Sequence, residues 1–207
     1  MLCPIALKKR ELLELLAFVS FSTCSSSGIM NYMMKSDGSF YRILIAPVKR
    51  SSIVLGQLLE AVLCTFLEVG IMGCVSLLFH VRLAAGITGI FLILILVFLT
   101  AFFMAGLAYG VSLILPNEVI YETVMNAIVL PVFFLSTALF PADGISGILR
   151  IAININPFTH VINVLRGLIL YGTVNTNSTV FVFMLFILMG SISFIWALHR
   201  LKKELSL

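Results

Sequence analysis

Residues 38–57 read GSFYRILIAPVKRSSIVLGQ, a polar and basic interruption between two apolar segments. Lys35, Arg42, Lys49 and Arg50 place four cations within sixteen positions. Proline offers no N–H to a helix and clashes with the preceding turn, so a helix that starts near Gly38 and runs to Ala46 must stop at Pro47. A second, apolar helix then begins near Ser51. The stretch thus predicts a short amphipathic helix, about residues 38–46, between two longer membrane helices.

The surrounding composition agrees. The 207-residue chain is 61% hydrophobic and only 11% charged, with a mean hydropathy of +1.17. Such a chain cannot stay soluble as a globular domain and reads as an all-α polytopic membrane protein. No polar stretch is long enough to enclose a core of its own, so residues 1–207 form a single membrane domain and any soluble engine belongs to another chain. The net charge of +4 resides in cations beside membrane segments, which report orientation and contact with lipid rather than nucleic-acid binding. Cys3, Cys24, Cys64 and Cys74 show no paired spacing, so neither a disulfide nor a metal site is expected of them.

Five spans are predicted, at about residues 12–30, 53–79, 86–115, 119–139 and 180–198. The first is of poor quality, with Glu14 near one end and Ser25, Ser26 and Ser27 near the other. The second carries Gln57, Glu60, Cys64 and Glu68 at spacings that put them on one helix face. Burying an acid at the bilayer centre costs about 3 kcal/mol, so Glu68 should face protein or water. That face either lines a path for a substrate with cationic or hydroxyl groups or packs against another helix. In the third span Ala101, Ala105, Gly106 and Gly110 form small-residue spacings that allow close helix approach. Pro131 falls in the middle of the fourth, where a kink is expected. Between the last two spans, residues 145–153 and 158–170 read as short external amphipathic helices separated by Asn156 and Pro157.

Cations are counted as four in residues 31–50, none in 116–118, one in 80–85, two in 142–177 and three in the tail. Loop 31–50 and the C-terminus are therefore expected to be cytoplasmic. Lys8, Lys9 and Arg10 then fall on the outer side, a conflict that means either that the first run does not span or that a span is missing before them, the second being the favoured expectation. The upstream reading frame would decide it. No GxxxxGK[ST] phosphate loop, HExxH or GxSxG occurs, and His80, His160 and His199 all lie near span boundaries, so the chain carries no evident catalytic set.

Two blocks carry a family likeness. The first is Gly38, then Ile43 to Val48 with Arg50, then Leu55-Gly56-Gln57-Leu58-Leu59. The second is Leu130-Pro131 with Phe134 to Pro141, followed by Asn156-Pro157 and Arg166. Both resemble the signatures of the ABC-2 permeases, the membrane subunits of type 2 ABC exporters, over roughly residues 20–198. The usual Gly-Thr is Gly38-Ser39 here, the nearby acid is displaced to Asp37, and the Ser-Gly of the second block is Ser136-Thr137.

The resemblance implies the membrane-spanning subunit of an ATP-driven exporter of drugs, lipids or polysaccharides. It implies a homodimer, or a pairing with a related permease, in the cell membrane. ATP and Mg would sit on a separate ABC ATPase subunit, with no cofactor bound by this chain. Residues 38–46 would then be a coupling helix, with Gly38, Pro47 and Arg50 framing it. Phe40, Tyr41, Ile43 and Leu44 would supply apolar contacts to the ATPase, and Arg42 and Lys49 the electrostatic fit. Gln57, Glu60 and Glu68 are candidates for the substrate path, and Phe140, Pro141, Asn156, Pro157 and Arg166 for an external gate. The competing readings are a truncated scaffold that inserts without transporting and an ion-driven secondary transporter built on Glu60 and Glu68.

Overall fold

The computed structural model describes residues 22–23, 25–45, 47–78, 86–136, 147–172 and 176–204. Among them the regular structure is helical throughout, without a strand. Helix α1 occupies residues 25–36, and α2 spans Ser39–Ile45. Then come α3 (Arg50–Leu78), α4 (Ile87–Ser112) and α5 (Glu118–Phe134). Helices α6 (Ile148–Ile155) and α7 (Pro157–Arg166) lead through a π-helical turn, Gly167–Tyr171, to α8 (Thr176–Glu204).

Three of these helices, α3, α4 and α8, are long and apolar enough to cross a membrane. Their outer surfaces are apolar as well: Leu63, Leu67 and Ile71 of α3 and Met184, Leu188 and Ile192 of α8 are all more than half exposed. Water would not tolerate that much exposed hydrocarbon, and lipid requires it. The expected 12–30 span lies mostly outside the described residues. Its described end continues as helix beyond Met30 to Ser36. In the 119–139 segment, α5 ends at Phe134, so Pro131 sits in the last turn and not mid-helix. One turn remains after the proline, and the Leu135 N–H closes back onto the carbonyl of Pro131 at 2.8 Å.

The packing centre is α4, which lies against α3, α5 and α8. Gly106 and Gly110 make the α4–α8 contact possible. A Cβ at Gly106 would overlap the Ser193 hydroxyl, and one at Gly110 would overlap the Trp196 ring. Closeness also allows Ser193 Oγ to donate to the Phe103 carbonyl at 3.1 Å, a bond between helices that bypasses the side chains of α4. Towards one end Phe186 packs edge to face on Phe103 and Phe158, which are tilted against each other, with ring centroids 5.4 to 6.2 Å apart. At the other, Val54, Leu58, Tyr109, Ala197 and Leu201 gather the start of α3 and the ends of α4 and α8.

Candidate functional site

Helix α2 leaves α1 through a tight turn at Asp37 and Gly38. The Asp37 and Gly38 N–H groups donate to the carbonyls of Met33 and Lys35, at 3.0 and 3.3 Å. Gly38 has φ +74°, a conformation that L side chains rarely adopt, and this requirement keeps glycine at the position. Phe40 corrects the sequence reading. Expected among the contacts to a partner, it is 4% exposed and packs into the cluster of Val54, Leu58 and Leu201.

Helical geometry explains the rest of α2. At about 100° per residue, burying Phe40 turns Tyr41, Arg42 and Ile45 to the far side and leaves Ile43 at the margin. Tyr41 is 61% and Ile45 85% exposed, Arg42 is exposed, and Ile43 is 36% exposed. The Lys35 ammonium lies 5.2 Å from the Phe40 ring centre, a cation–π contact that caps the anchor. Pro47, Lys49 and Arg50 are exposed at the entry to α3. The side chain of Leu44 lies outside the described residues.

The polar face of α3 meets α1. Gln57 is half-buried, its Nε2 3.5 Å from Glu60 Oε2 and 4.0 Å from Met34 Sδ. Glu60 and Cys64 are exposed, whereas Glu68 is half-buried and accepts a hydrogen bond from the Thr23 hydroxyl. Gln57, Glu60 and Cys64 together with Thr23, Ser26 and Ser27 line a cleft of about 210 Å³. On its other side α1 faces α5 across a second cleft of about 150 Å³. Ser22, Ser25 and Ser26 meet Tyr121, Glu122 and Asn126 there, and the Tyr121 hydroxyl donates to the Ser25 carbonyl. Gly28 admits the Tyr121 ring, since a Cβ there would collide with it.

The serine run of α1 is thus a polar seam facing two helices. Sequence reasoning registered it only as a defect in a span; its signal was the repetition of hydroxyls at positions 22, 23, 25, 26 and 27. The cytoplasm-facing end expected for α1 is tied to the last residue of α4 by Asn31 Nδ2 to Ser112 Oγ at 3.0 Å, and to the turn that follows α4 by the Tyr32 hydroxyl to the Leu115 carbonyl at 3.1 Å.

Among the residues expected at an external gate, Asn156 does several jobs. Its Oδ1 caps α7 by accepting from the Phe158 N–H at 3.0 Å, and its Nδ2 donates to the carbonyls of Val132 and Leu135 at 2.6 and 3.2 Å. These are carbonyls at the C-terminal end of α5 that lack partners within their own helix. Pro157 occupies the first turn of α7, where a missing N–H costs nothing. Arg166 ends α7, half-buried, its charge suited to the negative end of that helix. Phe140 and Pro141 lie outside the described residues. Beyond Arg166, a cavity of about 540 Å³ opens between α7, the π-turn and the start of α8, bordered by His160, Asn163 and Ser178. His160 Nε2 lies 3.1 Å from the Asn154 carbonyl. Among the described residues no three of His, Cys, Asp or Glu are grouped to hold a metal ion.

A family model for the ABC-2 type transporter matches residues 9–170, which takes in α1 to α7 and both motif blocks. The chain belongs to the ABC-2 type transporter family. No curated protein and no solved structure shows a significant match. This ABC-2 permease is therefore an integral membrane protein and the membrane component of an ABC transporter, and its α3, α4 and α8 are the apolar helices that such a component needs.

Proposed function

We propose that this ABC-2 permease couples ATP hydrolysis on a separate ABC ATPase subunit to the export of an amphiphilic substrate. Five crossings, one at about residues 12–30 and the others made by α3, α4, α5 and α8, carry the chain through the membrane, with α2 and the C-terminal end of α8 on the cytoplasmic side. Two copies, or one copy and a related permease, enclose the substrate path. Gln57, Glu60 and Glu68 contribute to that path, and Asn156, Pro157 and Arg166 with Phe140 and Pro141 form the outer gate.

The observation that carries the reading is the attachment of α2. A free seven-residue helix would melt in water. This one is set off by Gly38 and Pro47 and held through Phe40 to the cluster containing the start of α3 and the end of α8. A push on Tyr41, Arg42 or Ile45 would therefore reach α3 and α8 as a rigid displacement. The test is photo-crosslinking in membranes with p-benzoylphenylalanine in place of Tyr41. The expected result is capture of the separate ABC ATPase subunit that coupling requires, and no capture from Leu67, which is exposed on α3 at membrane depth. Equal capture from both positions, or from neither, would refute docking at α2.

A further inference from the structure

The cleft between α1 and α3 has a specific chemistry. Hydroxyls of Thr23, Ser26 and Ser27 form one wall, and the other holds the Gln57 amide and the Glu60 carboxylate. Glu60 lies ten residues beyond Arg50, the start of α3, about 15 Å along the axis and hence well within a hydrocarbon layer about 30 Å thick. No lysine or arginine is among the described residues lining the cleft. A carboxylate at that depth needs a countercharge, because lipid offers it no hydration and a single amide 3.5 Å away does not neutralise it.

The surface beside the cleft is of the opposite kind. Leu59, Leu63 and Leu67 are exposed on the adjoining face of α3, at 44%, 67% and 64%, and Met30 of α1 borders the mouth. At about 100° per residue, Leu63 and Leu67 fall on the same side of the helix as Glu60. A volume of about 210 Å³ is too small for a whole drug-sized molecule, which needs roughly 300 Å³ or more, but holds a polar head.

We propose that this cleft receives the ammonium head of an amphiphile entering sideways from the bilayer. The Glu60 carboxylate supplies the countercharge, the Gln57 amide and the α1 hydroxyls replace water around the head, and the tail lies on Leu59, Leu63 and Leu67. The proposal rests on the reading of the Gln57–Glu60–Glu68 face as part of the substrate path. The head can come from an amine-bearing phospholipid or from a free cationic amphiphile, and the chemistry of recognition is shared.

Native mass spectrometry of the full chain in a non-ionic maltoside detergent tests it. Four probes are compared: dodecyltrimethylammonium against dodecanol, and phosphatidylethanolamine against phosphatidylglycerol. The expected result is about a tenfold preference for at least one ammonium probe, equivalent to about 1.4 kcal/mol. Glu60→Gln abolishes that preference, and Cys64→Trp, which fills the cleft and keeps the acid, abolishes it too. Glu118→Gln, an exposed acid at the start of α5, leaves it intact.

Preference for phosphatidylethanolamine alone identifies a bilayer lipid as the occupant, and preference for the detergent-like cation identifies a free amphiphile. Either upholds the proposal. Equal binding of charged and uncharged probes by the wild type, or an undiminished preference in Glu60→Gln, overturns it. If Glu60→Gln loses binding while ATP-driven efflux of dodecyltrimethylammonium continues unchanged, the cleft stands and its place on the substrate path is refuted.

Discussion

Replacing Phe40 by alanine removes the one side chain of α2, among those described, that is buried in the cluster at the ends of α3, α4 and α8. Phe40 is 4% exposed. Emptying such a site costs about 3–5 kcal/mol, transfer and cavity terms together. Loss of the Lys35 contact adds about 0.5–1 kcal/mol. Helix α2 has seven residues and no other buried hydrophobic anchor among its described side chains, so the whole loss falls on its attachment. At tenfold per 1.4 kcal/mol, even the lower figure raises the population of detached α2 by roughly a hundredfold.

Limited trypsin digestion reads this directly, because cleavage after Arg42 requires α2 to open and the rate tracks the open population. Phe40→Ala should be cut at that bond about a hundred times faster than the wild type, or up to the rate of an unfolded peptide. Tyr41→Ala, which removes an exposed ring, should stay within a fewfold. If Phe40→Ala is cleaved at the wild-type rate, Phe40 is not what holds α2, and the rigid-displacement argument fails with it.

Substituting Gly106 or Gly110 by leucine should separate α4 from α8 at a cost of about 1–3 kcal/mol or more, seen as a lower melting temperature in detergent. Gly70→Leu is the control, since a Cβ there meets nothing within 4 Å, and it should leave the melting temperature nearly unchanged. Asn156→Ala loses the α7 cap and both bonds to the end of α5, together about 2–3 kcal/mol. Asn156→Asp retains the cap while losing the amide donors, so its melting temperature should fall between the two. Ser112→Ala should destabilise by stranding the buried Asn31 amide, and the double change Asn31→Leu with Ser112→Ala should recover part of that loss in thermal denaturation.

The class of the protein follows from composition alone, because a chain so apolar has only the bilayer in which to be stable. The small residues of α4 were likewise legible as a close-packing face. Their partners were not, since Ser193 and Trp196 lie some ninety residues away and only the fold joins them. Phe40 was misjudged for a definite reason. A seven-residue amphipathic pattern shows that two faces differ without saying which one is packed, and both faces of α2 carry aromatic or aliphatic groups.

The candidate cleft was half legible. Gln57, Glu60, Cys64 and Glu68 share a face by spacing, but the hydroxyl wall opposite them comes from a segment that looked like a weak span. Polarity inside a membrane helix acquires meaning only when the neighbouring helix is known. Asn156 could be read as a helix break followed by proline, whereas its bonds to the Val132 and Leu135 carbonyls depend on α5 ending where it does.

Coupling through α2 is most directly tested by reconstituting the permease with the separate ABC ATPase subunit that the proposed coupling requires and measuring hydrolysis. The double variant Arg42→Glu with Ile43→Asp alters the outward and marginal positions of α2 and spares Phe40. The variant is expected to insert normally and no longer to stimulate ATP hydrolysis. Full stimulation by a correctly inserted variant would contradict it.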